Sequence, residues 1–166
     1  MSDTSELDIR KATIDDSNIL LDFIKKLAIY EKMLDEVTAT EELIRENIFG
    51  EHSNAKALIG YYENKPVCFA IYFYNYSTFK GKPGLYLEDL FVLPEMRNKG
   101  FGKKMLSHLA SIAEAEGCAR FEWAVLDWNE PAIKFYESIG ARLMKDWIIN
   151  RLDETGIKNL SKIYDN

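Results

Sequence analysis

Two neighbouring stretches of the chain, 56–62 and 67–75, are rich in aliphatic and aromatic residues. The four residues between them, Glu63-Asn64-Lys65-Pro66, are typical turn formers. Runs with high β propensity that are joined by so short a turn predict two antiparallel strands in a hairpin. The chain must therefore contain a sheet with this hairpin in it.

The remaining pattern places helices and further strands around the hairpin. A glycine- and proline-containing turn at 78–84 precedes a third apolar run, and helical spacing of apolar residues alternates with short strand-like runs. Strands are predicted at 7–12, 56–62, 67–75, 85–92, 121–127 and 146–152, and helices at 19–28, 41–48, 101–116 and 131–138. Thr13 with Asp16, and Thr38 or Thr40, supply the caps, while Gly50 and Gly117 end their helices. With no linker or repeat, residues 1–166 are predicted to form one mixed α/β domain.

Charge and cysteine usage narrow the classes of partner. The formal net charge is −6, which disfavours a non-specific nucleic-acid binder because phosphate neutralisation needs a basic surface. Cys68 and Cys118 are not in a Cys-x-x-Cys pair, so both are expected to be reduced. Residues 1–10 lack an apolar core, which predicts neither a signal peptide nor a membrane anchor. A cytoplasmic location is expected.

The segment Arg97-Asn98-Lys99-Gly100-Phe101-Gly102 lies between the predicted strand 85–92 and the following helix. Glycines allow backbone N–H groups to approach a ligand closely, and the helix macrodipole adds positive potential at the same place. Four basic side chains add local charge: Arg97, Lys99, Lys103 and Lys104. The segment therefore predicts a phosphate or pyrophosphate site.

Two nucleotide-binding motifs differ from this loop. It lacks the third glycine of the dinucleotide fingerprint and the Gly-Lys-Ser/Thr of a Walker A motif, so NAD and ATP fit poorly. A tight turn into a helix, with no ligand, would also account for the glycines. His52 and His108 have no second ligand at metal spacing, so no metal site is predicted.

Arg-x-x-Gly-x-Gly between a strand and a helix resembles the pyrophosphate loop of the GNAT acyltransferases. Three more segments extend the match: 87–92 (LEDLFV), 128–131 (WNEP) and 135–140 (FYESIG). Together they resemble the diamine and thialysine N-acetyltransferase branch over 9–152. The resemblance implies an α/β GNAT fold with a mostly antiparallel twisted sheet that splays between strands 4 and 5, and acetyl-CoA as the cofactor.

The resemblance also implies roles for individual residues. The backbone after the bulge in the fourth strand would pair with the pantetheine arm, the loop would hold the pyrophosphate, and a later segment would contact the cofactor near the thioester. The implied cofactor-binding residues are Leu90, Phe91, Val92, Arg97, Asn98, Lys99, Gly100, Phe101, Gly102, Lys103, Asn129, Pro131 and Tyr136. The implied substrate-binding residues are Tyr30, Glu31, Glu88 and Asp89.

The chemistry of amine acetylation calls for a base that takes the amine proton and an acid that protonates the leaving thiolate. An alkylamine with a pKa near 10.4 is neutral in about one molecule in 2,500 at pH 7, which corresponds to about 4.6 kcal/mol. Glu88 could accept the amine proton through a water molecule, and the resemblance implies that Tyr136 is the acid that protonates the leaving thiolate. The alternatives are a solvated Glu88-Asp89 pair at a strand end and a packed aromatic at Tyr136. Because no nucleophilic cysteine or serine is evident, direct attack is expected.

Substrate and assembly are the least constrained features. Polyamine-specific members of the branch carry an acidic and a tryptophan residue where this chain has Ser77 and Phe79. The expected substrate is therefore a small primary amine such as thialysine or a short diamine, with a polyamine as runner-up. Acetylation of a protein amine stays open, as does a non-catalytic module that binds acetyl-CoA. The resemblance implies a homodimer, to which Trp147-Ile148-Ile149 could contribute.

Overall fold

The computed structural model describes residues 6–164. The chain forms two compact units, a first unit that ends at Ala124 and a second unit that begins at Val125. The prediction of one domain over 1–166 stays a prediction.

The first unit is built on a five-stranded sheet whose strands lie in sequence order. The strands are β1 (Asp8–Lys11), β2 (Ala55–Tyr62), β3 (Lys65–Ser77), β4 (Lys82–Val92) and β5 (Arg120–Trp123). Neighbouring strands from β1 to β4 pair antiparallel, whereas β4 and β5 pair parallel. The sheet is therefore mixed and mostly antiparallel, as predicted.

Helices flank the sheet in the first unit and form most of the regular structure in the second. The α-helices are α1 (Ser17–Tyr30), α2 (Glu41–Phe49), α3 (Phe101–Ala115), α4 (Glu130–Ser138) and α5 (Glu154–Ser161). Three short 3₁₀ helices lie at Ile14–Asp16, Leu34–Glu36 and Pro94–Met96. Thr40 caps α2 by accepting a hydrogen bond from the backbone N–H of Leu43 at 3.2 Å. Of the two caps predicted for this helix, Thr38 and Thr40, the structure uses Thr40.

The two faces of the sheet carry separate layers of helix. On one face, Phe23 of α1 stacks on Phe69 of β3 at 5.2 Å, in a core cluster that includes Ile71 and Phe91. Gly102 of α3 lies instead beside Leu90 and Val92 of β4. Because successive strand residues point to opposite faces, α3 covers the face opposite α1 and α2. The bulged strand β4 is thus held between two helical layers.

The predicted hairpin is confirmed and its turn is the type that suits twisted strands. Glu63 and Asn64 have φ angles of 49° and 59°, as a two-residue type I′ turn requires. Tyr62 pairs with Lys65 across it. Lys65 and Pro66, which were predicted in the turn, are therefore the first residues of β3.

Two strand boundaries differ from the predictions. Pro83 and Gly84, predicted in a turn, belong to β4. A Cβ atom at Gly84 would lie 2.2 Å from Oδ1 of Asn75, so the glycine permits close approach of β3 and β4 rather than a turn. The predicted strand 121–127 ends at Trp123 as β5, because its pairing with β4 ends there.

The strand predicted at 146–152 is wrong. This part of the second unit is a turn followed by irregular chain, with the backbone N–H of Trp147 bonded to the carbonyl of Met144. Apolar and β-branched composition favours a strand only where a neighbouring strand can pair with it, and within residues 6–164 no strand pairs with this segment. Helix α5 was not predicted, although Asp153 caps it by accepting from the N–H of Gly156 at 2.7 Å.

Candidate active site

A β-bulge in β4 sets the geometry of the site. Ile71 of β3 is opposite Asp89, whereas the next residue, Tyr72, is opposite Leu87, so Glu88 is the extra residue. A bulge interrupts the alternation of side chains and re-aims them. Asp89 lies on the same face as its partner Ile71 and as Phe91, which is the face covered by α1 and α2.

Three carboxylates form what we call the acidic cluster: Glu31, Glu88 and Asp89. Glu31 follows the last residue of α1 directly, and the other two lie at the bulge. Burial raises the pKa of the Asp89 carboxyl to about 6, and repulsion from Glu88 and Glu31 adds to the shift. Burial also raises the pKa of Glu31. The cluster is therefore a site of concentrated negative potential that favours a bound cation.

Beyond the bulge, no strand among residues 6–164 pairs with one edge of β4. Pairing of β4 with β5 covers residues 84–87 of β4, while β4 itself continues to Val92. The N–H of Leu93 bonds to the carbonyl of Val67 at 2.9 Å. Since hydrogen-bonding direction alternates along an antiparallel strand, the polar backbone groups of Leu90 and Val92 point away from β3. We call this stretch the free edge of β4, and the splay between strands 4 and 5 stays a prediction.

The loop after the free edge turns into α3. Asn98 and Gly100 have φ angles of 62° and 80°, which lie in the left-handed region where glycine and asparagine are favoured. A Cβ atom at Gly100 would meet no atom within 4 Å, so this side of the loop is open. The first turn of α3 begins at Phe101. The first N–H groups of a helix have no acceptor within it, so the start of α3 can hold an anion.

The four basic side chains predicted to surround this anion site do not all do so. Lys104 forms an ion pair with Glu6, and the Lys99 ammonium lies 5.9 Å from the centroid of the Tyr62 ring. Lys103 is exposed. The Arg97 guanidinium folds back over Tyr30 at 4.6 Å from the ring centroid.

Arg97 makes two further contacts with the end of β4. Its guanidinium lies 5.4 Å from the centroid of the Phe91 ring, and its Nε–H donates to the carbonyl of Val92 at 3.1 Å. Tyr30 and Phe91 are themselves in contact, with centroids 6.4 Å apart. No local pattern in the sequence indicates this bridge from the loop to α1, because it joins residues 67 positions apart.

Three of the predicted site residues lie in the second unit. Asn129 immediately precedes α4, whose first turn contains Pro131. Tyr136 lies in the last turn of the helix, half-buried, with its ring centroid 5.6 Å from that of Phe135. Their roles remain as the resemblance implies them.

The described residues also bear on metal, membrane and thiol chemistry. In the described part of the chain, no three His, Cys, Asp or Glu residues are grouped in a way that could hold a metal ion. None of the helices between residues 6 and 164 is both long and apolar enough to cross a membrane.

Cys68 and Cys118 are free thiols, and burial raises the pKa of Cys68 to about 12. A thiol so hard to ionise is a poor nucleophile.

Comparison with known proteins identifies the class. The model of the GNAT acetyltransferase family matches residues 24–141. A thialysine N-epsilon-acetyltransferase of Sus scrofa is 38% identical over 142 residues, which cover 81% of this chain and 83% of the relative. A spermidine/spermine N(1)-acetyltransferase-like protein of Homo sapiens is 35% identical over 140 residues, covering 80% of this chain but 20% of that protein.

The fold agrees with these matches. The solved structure of an integron cassette protein from the mobile metagenome of V. cholerae has a TM-score of 0.79 and 30% identity, covering 94% of this chain and 98% of that one. Fold and relatives together define an N-acetyltransferase that takes its acyl group from acetyl-CoA. The chain belongs to the GNAT acetyltransferase family, so the resemblance found in the sequence is confirmed.

Proposed function

We propose that this enzyme acetylates a primary amine of a small molecule, either a thialysine-like amino acid or a short diamine. The observation that carries the proposal is the acidic cluster of Glu31, Glu88 and Asp89 beside the free edge of β4. A cationic amine would be attracted to the cluster, and the free edge can pair with an extended ligand. The similarity to thialysine N-epsilon-acetyltransferases supports the same class of substrate.

The cofactor would be held mainly by backbone groups of the first unit. Leu90 and Val92 would align the pantetheine arm, because a strand edge without a neighbour offers N–H and C=O groups at regular spacing. Phe91, which the resemblance also implies, pairs its backbone with Phe69 of β3 and would only lie between the two. Residues 97–103 would hold the pyrophosphate through the loop N–H groups and the start of α3. The open space at Gly100 and the left-handed backbone of Asn98 fit such a ligand. Asn129, Pro131 and Tyr136 complete the proposed cofactor set.

Acetyl-CoA, when bound, supplies the acetyl group as a thioester. Glu31 and Asp89 hold the positive charge of the substrate, and Tyr30 adjoins Glu31 at the end of α1. Glu88 accepts the proton that the amine must lose, through a water molecule, before nitrogen forms its bond to the acetyl carbon. Tyr136 donates its phenolic proton to the sulfur as the carbon–sulfur bond breaks. Acid–base assistance of this kind contributes about 10²- to 10⁴-fold in rate.

A polyamine is the second candidate, supported by the similarity to the spermidine/spermine N(1)-acetyltransferase-like protein. The loop between β3 and β4 argues against it. Ser77 is buried and neutral, and Phe79 is 98% exposed, so these positions offer no carboxylate to a second charged nitrogen. A protein amine remains the third candidate.

We also propose that the enzyme is a homodimer in the cytoplasm. Trp147, Ile148 and Ile149 are 76%, 84% and 71% exposed, and a second copy of the chain could cover this apolar segment. The free thiols of both cysteines support a reducing compartment. Light scattering at micromolar concentration should give the mass of a dimer, and Ile148→Asp should shift it to a monomer. A monomeric wild-type mass would refute the assembly.

The substrate proposal is tested by comparing kcat/KM for four amines with purified protein. Thialysine and 1,3-diaminopropane should exceed spermidine and a lysine-containing peptide by about tenfold or more, since one or two lost contacts in a site change binding by this much. Release of free coenzyme A thiol without amine gives the background. A higher kcat/KM for spermidine or for the peptide would replace the proposed substrate with that one.

A further inference from the structure

Arg97 is placed differently from the other basic residues of the loop. Its side chain is half-buried and turns back toward β4 rather than outward to the open side at Gly100. The guanidinium lies against the rings of Tyr30 and Phe91, at 4.6 and 5.4 Å from their centroids. Its Nε–H is bonded to the carbonyl of Val92. Two aromatic rings and one carbonyl therefore fix the side chain in one position.

The partners of Arg97 come from both halves of the site. Tyr30 is the last residue of α1, and the next residue, Glu31, is a member of the acidic cluster. Val92 is the last residue of β4 and the end of its free edge. Arg97 itself starts the loop that leads to α3. One side chain thus contacts the amine half and the cofactor half.

The bond to Val92 also limits the free edge. Among the backbone groups that point away from β3, the Val92 carbonyl already accepts from Arg97. The groups that remain for a ligand are the N–H and C=O of Leu90 and the N–H of Val92. Arg97 therefore determines how far an extended ligand can pair along β4.

We propose that Arg97 is a positioning residue that couples amine binding to cofactor binding, with its guanidinium holding Tyr30 against the end of β4. The proposal rests on the function proposed above. It differs from a role as counter-charge to the pyrophosphate, for which any cation at position 97 would serve. A planar guanidinium can stack on rings while its Nε–H donates to a carbonyl, whereas a lysine ammonium has neither a plane to stack nor a donor at that position along the side chain.

Substitutions at both ends of the contact separate the two roles. Arg97→Gln removes the charge and the stacking, Arg97→Lys keeps only the charge, and Tyr30→Leu removes the ring. Tyr30→Phe is the conservative variant that keeps the ring. Coenzyme A affinity is measured by calorimetry, and KM and kcat for thialysine are measured separately.

Arg97→Gln should weaken coenzyme A binding about fivefold and raise KM for thialysine by a similar factor, with kcat changed less than twofold. Arg97→Lys should resemble Arg97→Gln. Tyr30→Leu should also weaken coenzyme A, although Tyr30 is not in the cofactor loop, and Tyr30→Phe should restore the affinity. The double variant with Arg97→Gln and Tyr30→Leu should be no worse than Arg97→Gln alone, because both changes break one contact.

The opposite pattern would overturn the proposal. If Arg97→Lys restores coenzyme A affinity while Tyr30→Leu leaves it unchanged, the side chain is only a counter-charge. If the two single effects multiply in the double variant, the residues act independently. The coenzyme A titrations need no amine, so their affinities can be interpreted even if the wild-type enzyme fails to acetylate thialysine. That failure would count against the proposed substrate and not against the coupling.

Discussion

Replacing Asp89 by asparagine tests whether the acidic cluster is held in the folded protein at a cost to stability. Burial, Glu88 and Glu31 raise the pKa of this carboxyl to about 6. The folded state therefore binds the Asp89 proton more tightly than the unfolded state, whose pKa is near 3.9. The free energy of unfolding therefore decreases as the pH rises from about 4 to about 6, because the unfolded state loses this proton at lower pH than the folded state does.

The size of the effect follows from the two pKa values. Charging Asp89 costs the folded protein about 1 kcal/mol at pH 4.5 and about 3 kcal/mol at pH 7.5. Asparagine has the same shape and no charge, so Asp89→Asn should remove the cost at both pH values. For a chain of this size, 1 kcal/mol corresponds to about 2–4 °C in Tm. The variant should therefore be stabilised by up to about 6–12 °C at pH 7.5 and by about a third of that at pH 4.5.

Thermal unfolding of the free enzyme, followed by circular dichroism at both pH values, measures this difference. Asp35→Asn is the matched control, because Asp35 is exposed in the 3₁₀ helix Leu34–Glu36, and its variant should change Tm little at either pH. The reasoning is refuted if Asp89→Asn gains no more stability at pH 7.5 than at pH 4.5. The stabilised variant should also have a higher KM for thialysine, since one carboxylate of the proposed amine site is gone.

Three further predictions concern the loop and the proposed acid and base. At Gly100, two phosphate charges about 6 Å away in water would each repel an aspartate by about 0.7 kcal/mol. Gly100→Asp should therefore bind coenzyme A about tenfold more weakly than its isosteric control Gly100→Asn, and equal calorimetric affinities would place the pyrophosphate elsewhere. Tyr136→Phe should lower kcat by about 10²-fold and leave coenzyme A affinity within about twofold, whereas wild-type turnover would make Tyr136 a packing residue. Glu88→Gln should move the rising limb of the pH–rate curve to higher pH and be rescued there more fully than Tyr136→Phe, so a curve unchanged in position would remove Glu88 from the mechanism.

Most of the sheet and four of the helices were predictable because their signals are local. The hairpin at Glu63 and Asn64, the cap at Thr40 and the apolar spacing of α1 and α3 each depend on residues within a few positions of one another. The strand predicted at 146–152 was wrong because its composition indicated only high β propensity, whereas a strand also needs a neighbouring strand to pair with. Gly84 was placed in a turn because close approach to Asn75 on a neighbouring strand is not visible in the sequence.

The candidate site was likewise predictable only where its signals lie within a few residues of one another. The loop around Gly100 was predicted from its glycines, and the structure gives it the left-handed backbone and open side that the prediction requires. The structure contains the predicted cluster of basic side chains only in part, since Lys104 pairs with Glu6 and Arg97 turns toward Tyr30. Long-range contacts of this kind depend on how α1 packs on the sheet, and no spacing rule reports them.

The central claim is that the enzyme moves an acetyl group from acetyl-CoA directly to a small amine. Purified protein is mixed with acetyl-CoA labelled in the acetyl group, with and without thialysine, and the label is followed by mass spectrometry. We predict that each coenzyme A thiol released with thialysine present is matched by one label on the amine. Quenching without thialysine should leave the protein unlabelled, because the transfer uses no enzyme nucleophile. Label that accumulates on the protein, or thiol release with no labelled amine, would contradict the account.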